Sequence, residues 1–458
     1  MKNDPQASSY RPDPAILALG PAFYDAVAPA DFPQAILRFR NDPWAATVGL
    51  DGLSDDAWIG HFARFQPLPD NLTTPLALRY HGHQFRVYNP DIGDGRGFLF
   101  AQLRDAGDRL LDLGTKGSGQ TPYSRFGDGR LTLKGAVREI LATEMLEALG
   151  VETSKTFSLI ETGEALERND EPSPTRAAVL VRLQHSHIRI GTFQRLATLG
   201  EADNIRTLTD YCLRHYYADE SGDPAALLGH VAAQAARLAA SYIAAGFVHG
   251  VLNSDNIAIT AQSFDYGPWR FTPYWDGHFT AAYFDHQGLY SFGRQPEAIH
   301  WDLVQLALAL RAIAEADALT PRLETFPHLF QEALRDALFA RLGLRPGDLA
   351  GDMKLVVAIE EALAPQTVTI DRFFFDWRGG RRPEGYEGFD DIAVLIEGRE
   401  PVPGALDHPY WSDPAPCSMH IEEVEAIWAA IDGHDDWAPL NAKIAAVRRM
   451  GEAHHAYA

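Results

Sequence analysis

The chain has 458 residues, 46% hydrophobic and 22% charged, with a formal net charge of −22. That balance supports a sizeable core and excludes a disordered chain, and the lack of short-period repeats excludes a fibre or solenoid. The negative charge excludes a broad electrostatic grip on nucleic acid, but leaves room for local phosphate binding by backbone amides, a metal and a few arginines.

Two cysteines, Cys212 and Cys417, are too few for a disulfide framework or a cysteine zinc site. The first ten residues lack an apolar core of the signal-peptide type, and no apolar run reaches about 18 residues. The expectation is a cytoplasmic protein with no membrane association. The length fits about three average domains or one large two-lobed enzyme.

Residues 1–70 mix Pro, Asp and Trp with short amphipathic pieces such as Phe32 to Phe39, and read as a tail with a few helices. From Leu76 to Gln184 alternating, glycine-punctuated segments predict strands over Phe98–Leu103, Arg109–Leu113, Thr156–Ile160 and Ala177–Leu183. One helix is predicted among them, Leu133–Leu149, with Gly150 as its stop. After Thr207 the pattern turns helical: Ala225–Ala245, Asp302–Ala316, Leu329–Leu342 and Met353–Leu363. A loop region is expected over His249–His300 and another over Arg378–His408.

The chemistry concentrates in a few motifs. Gly93-Asp-Gly-Arg-Gly97 precedes a strand, where glycines admit phosphate oxygens close to backbone N–H groups; a glycine-rich hairpin turn is the plainer reading. The next strand ends at Lys116, and the helix after it carries Glu139. Loop, lysine strand and glutamate helix follow the order that protein kinases use for their Lys–Glu ion pair. Tyr123 to Arg130, with Gly127-Asp-Gly129, is a second glycine-bearing segment between them.

Further on, His249-Gly-Val-Leu-Asn-Ser-Asp-Asn256 follows a long apolar helix, and Asp265-Tyr-Gly267 comes soon after. Asn256 and Asp265 fall where a kinase places its metal ligands, but the position of the catalytic base is Val251, which cannot take a proton. Arg182 and Arg189 bracket a strand end and can fork onto phosphate oxygens. His185 and His187, like His81 and His83, lack acidic or cysteine partners at metal-ligand spacing and read as packing or hydrogen-bonding residues.

Taken together these segments resemble the selenoprotein O family, kinase-fold proteins classed as pseudokinases. The resemblance rests on Gly82-His-Gln-Phe85, Gly93-Asp-Gly-Arg96, Lys116-Gly, Thr121-Pro-Tyr-Ser-Arg125, Gly127-Asp-Gly-Arg130, Arg138-Glu139 and Ser186-His-Ile-Arg189. It continues through His249-Gly250, Asn253-Ser-Asp-Asn256, Asp265-Tyr-Gly-Pro268 and Trp301-Asp-Leu303.

It implies an α+β, kinase-like bilobal fold with extra terminal helices: an extension over 1–70, a strand-rich nucleotide-binding lobe over 71–203 and a helical lobe over 204–458. It also implies a protein adenylyltransferase, in which ATP lies reversed relative to kinases and pyrophosphate leaves. On that resemblance Lys116 contacts phosphate and pairs with Glu139. Gly93, Gly95, Arg96, Asp128, Gly129, Arg182, Arg189 and Asp265 line the nucleotide. Asn256 and Asp265 hold Mg2+ or Mn2+, and Asp255 is the proton acceptor. The partners implied are proteins bearing Ser, Thr or Tyr hydroxyls, with UMP as a second group that could be moved.

The chain departs from the family's pattern in lacking a cysteine near its end and in Phe271 to Phe292, which argues against redox control of that kind. Arg86 and Gly97 also stand where other residues are expected. Two further readings stay open on the residues alone: a phosphotransferase with an altered base, and an inactive nucleotide-binding scaffold.

Overall fold

The computed structural model describes residues 10–169 and 171–455. The first part of the chain builds one antiparallel sheet from β1 (Tyr24–Ala26), β2 (Ile36–Arg40), β3 (Leu76–Leu78), β6 (Leu99–Arg104), β7 (Leu110–Lys116), β8 (Leu131–Thr132), β9 (Lys155–Leu166) and β10 (Thr175–Gln184). Between β3 and β6 a separate hairpin forms from β4 (Gly82–Gln84) and β5 (Val87–Asn89). The spatial order is β1-β3-β6-β7-β10-β9-β2, with β8 also paired to β10.

Both faces of this sheet are covered, so its central strands are buried almost throughout. On β10, Ala178 and Leu180 join the core shared with helix α3 (Leu133–Ala148), while Val179 and Val181 join the opposite core. That second core is closed by α1 (Asp42–Thr47) and α2 (Asp55–Phe62), whose Trp58 stacks on Phe157 of β9 at 4.9 Å. The alternation follows from the pleat, which sends successive side chains to opposite faces.

The expected strands and the helix ending at Gly150 are present; Thr132 caps α3 through Gly135 N–H, and Gly150 has φ 79°.

The segment Phe32 to Phe39 departs from the helical reading, because residues 36–40 form strand β2. Its pairing along β9 and the ion pair of Arg38 with Glu161 of β9, 2.6 Å, are non-local and outweigh a local pattern that fits either state.

The rest is helical: α4 (Ile190–Thr198), α5 (Ala202–Tyr217), α6 (Pro224–Ala245), α7 (Gln295–Leu310), α8 (Ala316–Glu324), α9 (Phe326–Leu342), α10 (Leu349–Leu363), α11 (Ile370–Asp376), α12 (Asp390–Ile396), α13 (Ile421–His434) and α14 (Ala438–His455). The short pair β11 (Phe247–Val248) and β12 (Arg270–Phe271) brackets the loop region that carries the site.

Helix α7 starts seven residues before the expected Asp302 and ends at Leu310. Pro296 sits in its first turn, where a missing N–H costs nothing, so the proline starts the helix instead of bounding it. Helix α12 likewise lies inside the stretch expected to be loop; Ile392 and Ile396 bury against the C-terminal core, and Asp390 and Asp391 sit favourably in its first turn. Among the described residues no helix is long and apolar enough to cross a membrane.

Candidate active site

Helix α6 delivers the chain into the site. Asp223 caps its start, Pro224 occupies its first turn, and Gly246 ends it with φ 66°. Strand β11 follows, and Gln295 of α7 clamps what comes next: its Oε1 accepts the His249 N–H at 3.0 Å and its Nε2 donates to the Phe247 carbonyl at 2.7 Å. The buried His249 ring meets the Phe264 carbonyl at 3.0 Å, and burial keeps the imidazole below its usual range. His249 therefore ties the segment bearing Asn256 to the one bearing Asp265.

Every polar side chain between 253 and 256 is engaged, but one keeps a buried oxygen without a partner. Asn253 Oδ1 accepts from Phe85 N–H and Tyr290 Oη, at 2.9 and 2.7 Å. Ser254 Oγ donates to Gln194 Oε1 at 2.6 Å, and Asn256 Nδ2 donates to the Val251 carbonyl at 3.1 Å. Asp255 is that one: its side chain is buried and Oδ1 has no partner. Burial pushes its carboxyl up to about 6, opposed by Arg189 and reinforced by Asp265.

Opposite stands a cluster of charge. Lys116 Nζ lies 2.7 Å from Glu139 Oε2 and 2.7 Å from Asp265 Oδ1. Arg182 approaches Glu139 at 3.7 Å and Asp265 at 3.6 Å, and Arg189 approaches Asp265 at 3.8 Å. Burial alone would raise the Asp265 carboxyl; Lys116, Arg182, Arg189 and Arg96 together outweigh it and hold it well below the usual range. The cations keep spare capacity: Arg182 Nε and Nη1 and Arg189 Nε are buried without a hydrogen-bond partner. Unsatisfied buried donors are costly, and phosphate oxygens are the ligand that would satisfy several at once.

These groups line one cavity of about 910 Å³, which brings together Gly93, Gly95, Arg96, Lys116, Asp128, Gly129, Arg182, Arg189, Asp255, Asn256 and Asp265. Glu139 lies behind it as the partner of Lys116. The glycines have a packing reason as well. A Cβ at Gly93 would stand 2.5 Å from the Tyr123 ring, and one at Gly97 would stand 2.1 Å from the Thr115 carbonyl. The Tyr123 segment is fastened over the first glycine loop by Thr121 Oγ1 to the Asp94 carbonyl and Ser124 Oγ to the Gly95 carbonyl, both 2.5 Å.

Asp128 sits at the rim, its carboxylate paired with Arg168 at 2.9 Å. Arg86, the other departure, pairs with Glu297 at 3.0 Å and stacks over Trp301.

Two wall residues lie outside the nucleotide-site set that the motifs gave. Asp94 is buried and accepts from the Leu78 N–H at 3.0 Å and Arg189 Nη2 at 3.3 Å. His187 lines the cavity; its Nδ1 lies 3.2 Å from Asp112, and its Nε2 has no partner. The hydrogen bond fits the packing reading of His187, and the cavity wall is the addition. His83 bonds Gln194 at 2.7 Å and His81 bonds Tyr88 at 2.6 Å, as expected.

For a divalent cation the protein offers the Asn256 carboxamide and the Asp265 carboxylate, hard oxygen donors lining the same cavity. Among the described residues no group of three or more His, Cys, Asp or Glu could hold a metal alone. That donor set fits an ion that keeps waters and shares its coordination with substrate phosphates, as Mg2+ does.

The comparisons agree with this chemistry. Residues 7–397 match the family model described as protein adenylyltransferase SelO. A protein nucleotidyltransferase YdiU from Synechocystis sp. is 40% identical over 467 residues, covering 94% of this chain and 96% of that protein. The YdiU protein of Gloeobacter violaceus is 42% identical over 466 residues, covering 95% of each chain. One from Aeromonas salmonicida is 37% identical over 321 residues, 70% of this chain and 66% of that protein. These are names of enzymes, so the pseudokinase label is corrected and the inactive scaffold is set aside. The chain belongs to the protein adenylyltransferase SelO family, whose members are protein nucleotidyltransferases.

Proposed function

We propose that the chain transfers AMP from ATP to Ser, Thr or Tyr hydroxyls of other proteins and releases pyrophosphate, with UTP as a second donor. The observation that carries this reading is Asp255: a buried carboxylate with a free oxygen, facing cations that have unpaired N–H groups, in a chain whose kinase-base position is Val251. Kinase-type phosphoryl transfer needs a carboxylate at that base position.

In the proposed reaction Asp255 takes the proton of the acceptor hydroxyl, and the oxygen attacks the α-phosphorus. The bond from that phosphorus to the bridging oxygen of pyrophosphate breaks, and the electron pair leaves with pyrophosphate. Lys116, Arg182 and Arg189 oppose the charge that accumulates on the leaving group; Glu139 and Asp265 hold Lys116 in place. Gly93, Gly95, Arg96, Asp128 and Gly129 line the nucleotide. Asn256 and Asp265 would hold a Mg2+ or Mn2+ ion, which would supply further charge neutralisation.

The same reading assigns a kinase-like arrangement of two lobes, 71–203 and 204–458, with 1–70 as an extension that adds β1 and β2 to the sheet of the first lobe. The sheet preceding a helical half, with the site between Lys116 and the loop after α6, supports it.

The test is incubation with ATP labelled at the α- or the γ-phosphate in separate tubes, and with α-labelled UTP in a third, followed by gel autoradiography. Protein-bound label is expected from the α-position only. Label from the γ-position alone would establish a kinase instead.

A further inference from the structure

The hairpin β4–β5 is fastened across the loop that carries Asp255. A Cβ at Gly82 would stand 2.8 Å from the Asp255 Cβ, so only glycine lets the strand lie there. The His83 N–H donates to Ser254 Oγ at 2.8 Å, and the Phe85 N–H donates to Asn253 Oδ1 at 2.9 Å. The hairpin thus touches three consecutive residues ending at the proposed base.

Its turn is costly. Phe85 and Arg86 have φ of 50° and 62°, a left-handed conformation that side-chain-bearing residues avoid. Such backbone persists where surrounding contacts over-determine it, and it clusters at functional sites. Here the Phe85 ring packs on Tyr290 at 5.1 Å and on Phe284 at 5.8 Å, while Arg86 holds Glu297. The strained turn therefore brings the hairpin tip against the 283–290 segment.

Three large apolar side chains of this junction stand in solvent, beside the exposed Arg86, His286 and Gln287. Val87 is 70% exposed, Tyr283 83% and Phe284 41%, and Tyr283 packs edge-on to Phe284. The charges bordering it balance one another: Glu297 takes both Arg86 and Arg294, and the Asp285 carboxylate acts on Arg294 as the second anion. A large apolar group left in water beside a catalytic loop marks a contact site for a partner.

The geometry points to a docking surface for the acceptor protein, formed by Val87, Tyr283 and Phe284, that takes an apolar side chain a few residues from the accepting hydroxyl. This rests on the reading that the chain modifies protein hydroxyls. Asp255 is buried, so the accepting side chain must reach in while its backbone stays outside. An extended chain advances about 3.3 Å per residue, which carries the acceptor's next few residues onto the surface attached to Asn253, Ser254 and Asp255. With the local charges mutually balanced, an apolar residue and not an ionic motif complements it.

The experiment uses the full chain, α-labelled ATP and a synthetic peptide library with one fixed hydroxyl residue and every other position varied. Wild type is expected to favour large aliphatic or aromatic residues at one or two fixed positions beside the hydroxyl. The triple variant Val87→Ser, Tyr283→Ser, Phe284→Ser is expected to lose about tenfold in rate on those peptides and to flatten the preference. Its stabilisation by ATP with magnesium in a thermal shift assay is expected to match wild type, which separates docking from nucleotide binding and from unfolding.

Equal rates and an unchanged preference in the variant would overturn the docking surface while leaving the activity intact. So would a wild-type dimer that dissociates in the variant with peptide preference unaltered, since the surface would then belong to self-association. Failure of wild type to label any peptide or any protein of a lysate would overturn the activity itself, and the docking surface with it.

Discussion

Arg189 Nη1 donates to the backbone carbonyl of Asp255 at 2.7 Å. The same guanidinium reaches Asp94 at 3.3 Å and lies over the rings of Tyr80 and Phe264, at 4.4 and 4.7 Å. One planar cation thus fixes the loop of the proposed base, a buried carboxylate and the segment leading into Asp265. Lysine has neither the fork nor the flat face. Arg189→Lys and Arg189→Ala are both expected to lower kcat/KM, by about 1.5–3 kcal/mol, or one to two orders of magnitude. Steady-state kinetics with α-labelled ATP measures this. A lysine variant with wild-type kcat/KM would contradict the role given to the fork.

The Asp255 carboxyl, pushed up to about 6 by burial, sets a pH limb. Below that value it is protonated and cannot accept the hydroxyl proton; above it the carboxylate is available. kcat/KM is therefore expected to fall about tenfold per pH unit below 6 and to level off above it. Asp255→Asn should be inactive at every pH. A profile that stays flat from pH 5 to 7 would remove Asp255 from the role of base.

Asn256 and Asp265 are the two metal donors of the proposed reaction, and Asp265 is already engaged by Lys116 at 2.7 Å. Calorimetry is expected to show no tight binding of Mg2+ alone, and clear binding once a non-hydrolysable ATP analogue is present. Asp265→Ala should abolish transfer because it removes the one anionic ligand. Asn256→Ala should leave a residue of activity, since water replaces a neutral ligand. Wild-type turnover in excess chelator would sink all three statements.

A nucleotide reversed relative to kinases, as the family resemblance implies, makes a further demand. Val251 stands at the position of a kinase base, and its carbonyl is held by Asn256 Nδ2 at 3.1 Å. Replacing it with aspartate puts a carboxylate where kinases keep one, yet the γ-phosphate would point elsewhere. Val251→Asp is expected to show no γ-phosphate transfer to protein in the γ-label assay. Clear γ-label on protein from this single variant would contradict the reversed pose.

How much of this was legible in the sequence depends on the range of the force involved. Lys116, Glu139, Asn256 and Asp265 were readable because each stands at a fixed place in the order of elements, and the helix from Leu133 was readable because its apolar spacing and Gly150 are local signals. Asp94 was not singled out: between two glycines it reads as a turn residue, and its weight comes from burial against Arg189, ninety-five positions away. His187 became part of the wall only through Asp112 of a neighbouring strand. Strand β2 shows the same limit from the other side. Residues 36–40 carry a pattern that two states can use, and the choice is made by β9, more than a hundred residues on.

The two cysteines give the last prediction. Cys212 is fully buried on α5, and burial holds its thiol well above the usual range. Cys417 is half-buried and pushed up to about 11, again chiefly by burial, with Lys443 opposing. The thiolate is the reactive form, and at neutral pH neither residue supplies much of it. Both are free, so no disulfide constrains the described residues. Initial rates of AMP transfer are therefore expected to be the same with and without excess dithiothreitol. The native protein should react slowly with iodoacetamide at neutral pH, and the Cys212→Ala, Cys417→Ser double variant should stay active. A several-fold activation by reductant that disappears in the double variant would show a thiol switch operating here, and would mean that one of these thiols becomes accessible in a conformation other than this one.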